Sequence, residues 1–136
     1  MARGKKIAQP ELPTGKIGKP TRSTNEVLFS FRYLDRRSYP DCKDCSFFHG
    51  LLERLRKYSE LGWDGIRNSH RHGWGMEKMP VGQIRHAASV PRITPDVEFL
   101  HVLRSSGDNR VLVGLQDGQV FDVFFIEAKV GDISQH

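Results

Sequence analysis

Residues 97–136 read VEFLHVLR (97–104), SSGDN (105–109), RVLVGLQ (110–116), DG (117–118), QVFDVFFIEAK (119–129) and VGDISQH (130–136). Three runs rich in β-branched and aromatic residues, parted by two turn signals, predict an antiparallel meander with a polar tail ending in histidine. Asp117-Gly118 is the sharper turn signal, because a two-residue type I′ turn demands positive φ at both central positions. Pairing Gln116 with Gln119 around it sets Leu115 opposite Val120, Leu112 opposite Val123 and Arg110 opposite Phe125. With side chains alternating at period two, Arg110 is expected on one face with Glu127 and Lys129, past an apolar floor of Leu112, Val123 and Phe125. Two accounts of this arrangement stay open. One is a solvated ion pair at a strand end; the other is an anion site, since a fixed guanidinium beside an ammonium and a carboxylate suits phosphate chemistry.

Upstream, Val27–Leu34 reads as a strand with Phe29, Phe31 and Tyr33 on one face. A loop follows, in which Pro40 bars helix at Tyr39. Ser46 is the expected N-cap of a helix from Phe47 to Leu61 closed by Gly62. Its buried stripe is Phe48, Leu51, Leu52, Leu55 and Tyr58, with Arg54, Arg56, Lys57 and Glu60 on a solvated face. Trp63–Asn68 suits a short second helix capped by Asp64. Met76–Arg92 is expected to be loop, with one helical turn near Val81–His86. The pattern describes a small α+β domain over residues 26–136: an N-terminal strand and one or two helices packed on an antiparallel sheet of three to four strands.

A chain of 136 residues suits one such domain. It holds no apolar run long enough to span a bilayer and no signal-peptide pattern, so a cytoplasmic protein without a membrane partner is expected. The formal charge of +5 sits almost wholly in residues 1–25, where Arg3, Lys5, Lys6, Lys16, Lys19 and Arg22 face Glu11 alone. This Pro-, Gly- and Lys-rich tail cannot bury enough surface to offset its ordering entropy and is read as disordered when alone. It is either a solvating linker or the source of long-range attraction to a polyanion; the neutral body offers only local patches.

Chemistry-bearing residues cluster in three further places. Cys42 and Cys45 form a C-x-x-C followed by His49, and His70 or His72 would complete four zinc ligands, but a second paired knuckle is missing. In the loop 68–78, His70 and His72 titrate near neutral pH, Arg71 and Lys78 suit phosphate, and Trp74 offers either a stacking face for a base or a ring folded onto the core. His101 sits mid-strand between Leu100 and Val102, either as a satisfied half-buried histidine or as a base. No phosphate-loop, dinucleotide, zincin or hydrolase-elbow motif occurs, which removes those enzyme classes, and no cofactor is expected.

The phrase Leu103-Arg104-Ser105-Ser106-Gly107, then Asp108-Asn109-Arg110 opening the next strand, the hairpin, Glu127-Ala128-Lys129 and the terminal His136 resemble the C-terminal half of the RelE/ParE superfamily of small bacterial toxins. The likeness covers about forty residues, with a turn one residue longer before Arg110. It implies a RelE-like fold and a metal-independent endoribonuclease of a toxin–antitoxin system, inhibiting translation by cleaving mRNA, often at the ribosome, and silenced by an antitoxin protein. Cleavage would proceed by attack of an RNA 2′-hydroxyl on its own phosphorus. Arg110 would neutralise the phosphorane, assisted by Lys129 or Arg104; Glu127 or His101 would take the 2′-proton, and His136 would protonate the leaving oxygen. RelE-type chains carry lysines on the strand that here holds Leu100, His101 and Val102. That departure keeps two alternatives in view: a binding protein of the same fold acting on a protein target, and a small zinc-stabilised nucleic-acid-binding protein.

Overall fold

The meander builds the middle of a larger sheet. In the computed structural model, which describes residues 23–38, 44–70, 73–105, 110–129 and 131–134, five strands form one mixed sheet in the order β1-β5-β4-β3-β2. They are β1 Leu28–Ser30, β2 Glu77–Pro80, β3 Phe99–Arg104, β4 Val111–Asp117 and β5 Val120–Ile126, with the helix α1 at Cys45–Arg67. β1 runs parallel to β5; the other pairs are antiparallel. The protein is therefore a small α+β domain with one helix on a five-stranded sheet, not on three or four strands. The basic tail as far as residue 22 lies outside the described residues.

The extra strand comes from the segment expected to be loop. β2 buries only Met79, and Lys78 and Pro80 are exposed, so it carries almost no apolar alternation. Pro80 has no N–H to give a ladder, which confines such a strand to an edge, where Lys also discourages further pairing. After it come two 3₁₀ turns, Val81–Gln83 and Ala87–Ser89, in place of one helical turn over 81–86. β1 is also shorter than expected. The chain turns after Ser30, so Phe29 packs on the α1 side, Tyr33 on the opposite side and Phe31 stays 45 % exposed.

α1 starts two residues earlier than Ser46 would set it. The Asp44 carboxylate accepts from Phe47 N at 3.0 Å, and an anionic cap matches the positive end of the helix dipole better than a hydroxyl. Gly62, with φ 73° and ψ 170°, breaks the helix where a break was expected. The turn beyond it is capped from β1's approach and not by Asp64: Asn25 accepts from Trp63 N through its backbone oxygen and from Asp64 N through its side chain. Phe47, Leu51 and Tyr58 are buried while Leu52 is 68 % exposed, so the stripe is rotated by one position. Arg54, four residues before Tyr58, therefore points inward and not to solvent.

The hairpin turn is shifted by one residue. Asp117 pairs with Val120, so Gly118 and Gln119 are central, and Gly118 alone takes positive φ, 64°. Glycine accepts that conformation without steric cost and aspartate does not. A bulge at Val113/Gly114 then moves the register again, to Leu112↔Ile126. A Cβ on Gly114 would lie 2.0 Å from the Asp122 backbone oxygen, so only glycine fits where the two strands close up. Two apolar layers result. Leu103, Leu112, Phe121, Val123 and Ile126 pack against α1. Val102, Val111, Val113, Phe124 and Phe125 pack against Ile84, Val90 and Ile133 from the turns and the C-terminal segment. Floor residues expected together, Leu112 and Val123 with Phe125, are thus divided between the layers.

Candidate functional site

Arg110 opens β4 on the α1 side. Its guanidinium lies 4.5 Å over the Phe47 ring and donates through Nη1 to the Ala128 backbone oxygen at 2.9 Å. Stacking on one face and a hydrogen bond at one corner hold the fork in place. Beside it is a cavity of about 320 Å³ lined by Asp44, Ser46, Phe47, Gly50 and Arg110. The first turn of α1 brings its partial positive charge to the same wall. Asp44, Ser46 and Phe47 were not singled out from sequence as site residues. The available signal was the cap position itself, since a helix start is where backbone donors gather.

Glu127 does not join Arg110. Its N–H pairs with the Val111 oxygen, which puts its side chain on the face of Val111, away from α1 and Phe47. There the carboxylate is fully buried and accepts from Ile133 N and Ser134 N, both at 2.9 Å. Its second oxygen finds no hydrogen-bond partner among the described residues. Expectation had Arg110 and Glu127 on one face; the bulge reverses the parity of everything beyond it. Arg104 is on Glu127's side too, 4 % exposed and ion-paired to Glu77 at 3.7 Å. Lys129 is exposed. His136 lies outside the described residues.

Arg54 is the centre of a separate network. It donates to the Arg104 oxygen (3.1 Å), the Tyr58 hydroxyl (3.2 Å) and the Gly73 oxygen (2.7 Å), and its guanidinium lies 3.9 Å over the Trp74 ring. Tyr58 donates to the same Arg104 oxygen at 2.8 Å, and burial pushes its phenol pKa up against the opposing pull of Arg54. Trp74 is folded onto the core with this guanidinium on one face and Tyr58 at its edge; it is not an open platform for a base. His70 is exposed; Arg71 and His72 lie outside the described residues.

His101 is half-buried, and its Nδ1 accepts from Gln116 N at 2.9 Å. The β3–β4 ladder ends at His101↔Gly114, so the imidazole takes the place of the next backbone acceptor. Burial first and the Lys78 charge second lower its pKa below the ordinary histidine value. Because a backbone N–H can only donate, Nδ1 carries the lone pair and Nε2 the proton. His101 is thereby a hydrogen-bond donor to anything outside and has no lone pair left for taking a 2′-proton.

Cys45 is an exposed free thiol and His49 is exposed on α1; Cys42 lies outside the described residues. No three His, Cys, Asp or Glu side chains converge as metal ligands among the described residues, nor is any helix among them long and apolar enough to cross a membrane. No family model, curated protein or solved structure matches the chain.

Proposed function

We propose that this chain is a RelE-like domain that binds RNA through its phosphates, with Arg110 as the fixed contact, and does so without cutting it. One observation carries the reading: a guanidinium clamped between the Phe47 ring and the Ala128 oxygen, at a cavity shared with the first turn of α1. A pre-ordered fork loses little entropy on meeting a phosphate, and the helix terminus favours the same charge. Asp44 opposes an anion on its own side of the cavity, so the phosphate is expected against Ser46 and Gly50. The basic tail supplies the long-range attraction that the neutral body lacks.

Cutting would need an acid and a base within hydrogen-bond reach of the same phosphodiester. Among the described residues, Glu127 is buried across the sheet, Arg104 is ion-paired, and the lone pair of His101 is taken by Gln116. Toxin-like cleavage of mRNA in the cytoplasm, at the ribosome and under an antitoxin, keeps one specific support. Asp44 lines the same cavity as Arg110, a carboxylate for the 2′-proton beside a guanidinium for the phosphorane.

The test is binding of the full chain to a labelled single-stranded RNA dodecamer at several salt concentrations, with the RNA then resolved on a gel. Arg110→Ala is expected to weaken binding about tenfold or more and to lower the salt slope by about 0.7, with the RNA intact throughout. Unchanged affinity and slope in Arg110→Ala would overturn the phosphate reading. Cleavage to 2′,3′-cyclic ends that both Arg110→Ala and Asp44→Asn abolish would replace binding with nuclease action.

A further inference from the structure

α1 covers only part of its side of the sheet. At the β2 edge Lys78, Pro80 and Phe99 are exposed and His101 half-buried, whereas the residues alternating with them, Met79, Leu100 and Val102, are buried in the opposite layer. Lys78 stands opposite His101 and Pro80 opposite Phe99. On the other side of His101 is Gly114, which is buried, with the Phe121 ring over the place a side chain would take. The result is an open shelf at the β2 edge made by Lys78, Pro80, Phe99 and His101, with a 47 % exposed phenyl ring at one end.

The polar side chains at these paired positions are both donors. Gln116 N–H claims Nδ1 of His101, so Nε2–H is the donor the half-buried imidazole has left, and the only other polar side chain at these paired positions is the Lys78 ammonium. Of the carboxylates nearby in sequence, Glu77 and Asp117 alternate to the other face, and Glu98 precedes β3 beside Phe99, exposed. Lys78 and Pro80 by themselves are accounted for as protection of an edge strand. That account leaves out an aromatic ring held in water beside an imidazole oriented to donate. Two donors on one side of an exposed ring complement a ligand that is planar at one point and anionic at the next, and a nucleotide has both.

We infer that this shelf is a second nucleotide subsite: a base of single-stranded RNA stacks on Phe99 while the adjoining phosphate takes Lys78 and His101 Nε2–H. The inference rests on the RNA reading of Arg110 and extends it along the strand. Ser105 pairs with Arg110, so the subsite lies roughly 20 Å from that contact at about 3.3 Å per residue along β3.

The same dodecamer, at the same salt series, separates the two. Phe99→Ala and Phe99→Leu are each expected to raise Kd about tenfold, because either removes the stacking face and only one removes the bulk. Lys78→Ala is expected to lower the salt slope by about 0.7. His101→Asn, whose side-chain oxygen occupies the position of Nδ1 and keeps the Gln116 bond, is expected to raise Kd about fivefold through loss of Nε2–H alone. If these variants bind as wild type while Arg110→Ala does not, the subsite is refuted and the Arg110 contact stands. If wild type fails to bind the dodecamer at any salt, the Arg110 reading fails and takes the subsite with it.

Discussion

His101 offers the most direct measurement of how the sheet is held where β3 and β4 part. His101→Ala removes the acceptor of the Gln116 N–H and half of a ring's burial. The orphaned donor sits on a half-buried strand that water partly reaches, so its cost is about 1 kcal/mol. The lost apolar contact adds about 1 kcal/mol for a half-buried side chain. His101→Asn restores an acceptor at the same place and should recover roughly the first of these. In urea at pH 8 the Ala variant is then expected to unfold about 1 M earlier, for a slope of about 2 kcal/mol/M, with the Asn variant between it and wild type. The pH dependence has a definite sign. Burial and Lys78 lower the folded-state pKa of His101 below its unfolded value, so the unfolded chain binds the extra proton first. The contribution of His101 to stability is complete above about pH 6.5 and falls as pH drops through the folded-state value. The stability difference between wild type and His101→Asn cancels the other titrating groups and should shrink steadily from pH 8 to pH 5. A difference independent of pH, or an Asn variant no more stable than Ala, would refute the hydrogen bond and with it the assignment of the proton to Nε2.

Two further outcomes follow from the opposite face and from the helix break. Glu127→Gln keeps an oxygen for Ile133 N and Ser134 N but loses the charge, and is expected to cost about 1 kcal/mol in urea unfolding, against about 3 kcal/mol for Glu127→Ala, which leaves both donors buried without a partner. RNA affinity of the Gln variant should match wild type; a well-folded Glu127→Gln that no longer engages RNA would return Glu127 to the functional site. Gly62→Ala puts a Cβ 2.4 Å from Asn25 Nδ2 at φ 73° and ψ 170°, a backbone region open essentially to glycine alone. A loss of about 3 kcal/mol is expected by thermal melting, and a loss below about 1 kcal/mol would mean that Asn25 does not cap the helix turn as described.

What the sequence made legible was whatever depends on composition within a single run. Residues 97–126 declare their strands by β-branched and aromatic density, and Gly62 declares the helix break by its freedom at positive φ. What it hid depends on a choice between two neighbouring candidates. Asp44 and Ser46 are both good caps, and the docking of Phe47 on the core goes with the first; the face that buries Phe47, Leu51 and Tyr58 also carries Arg54 to the Trp74 ring. Asp117-Gly118 and Gly118-Gln119 are both good turns, and the positive φ goes to glycine in the second. β2 was hidden for a different reason, since an edge strand with one buried residue has no period to detect. The face of Glu127 turns on a single extra residue in β5, because with a side-chain period of two any odd insertion exchanges the two faces beyond it. A glycine inside an otherwise apolar strand is the mark such a bulge leaves, and Gly114 stood in the middle of RVLVGLQ. Taken as a bulge rather than as a small residue, it would have placed Arg110 and Glu127 on opposite sides of the sheet, and a shared catalytic role for the two would never have been expected.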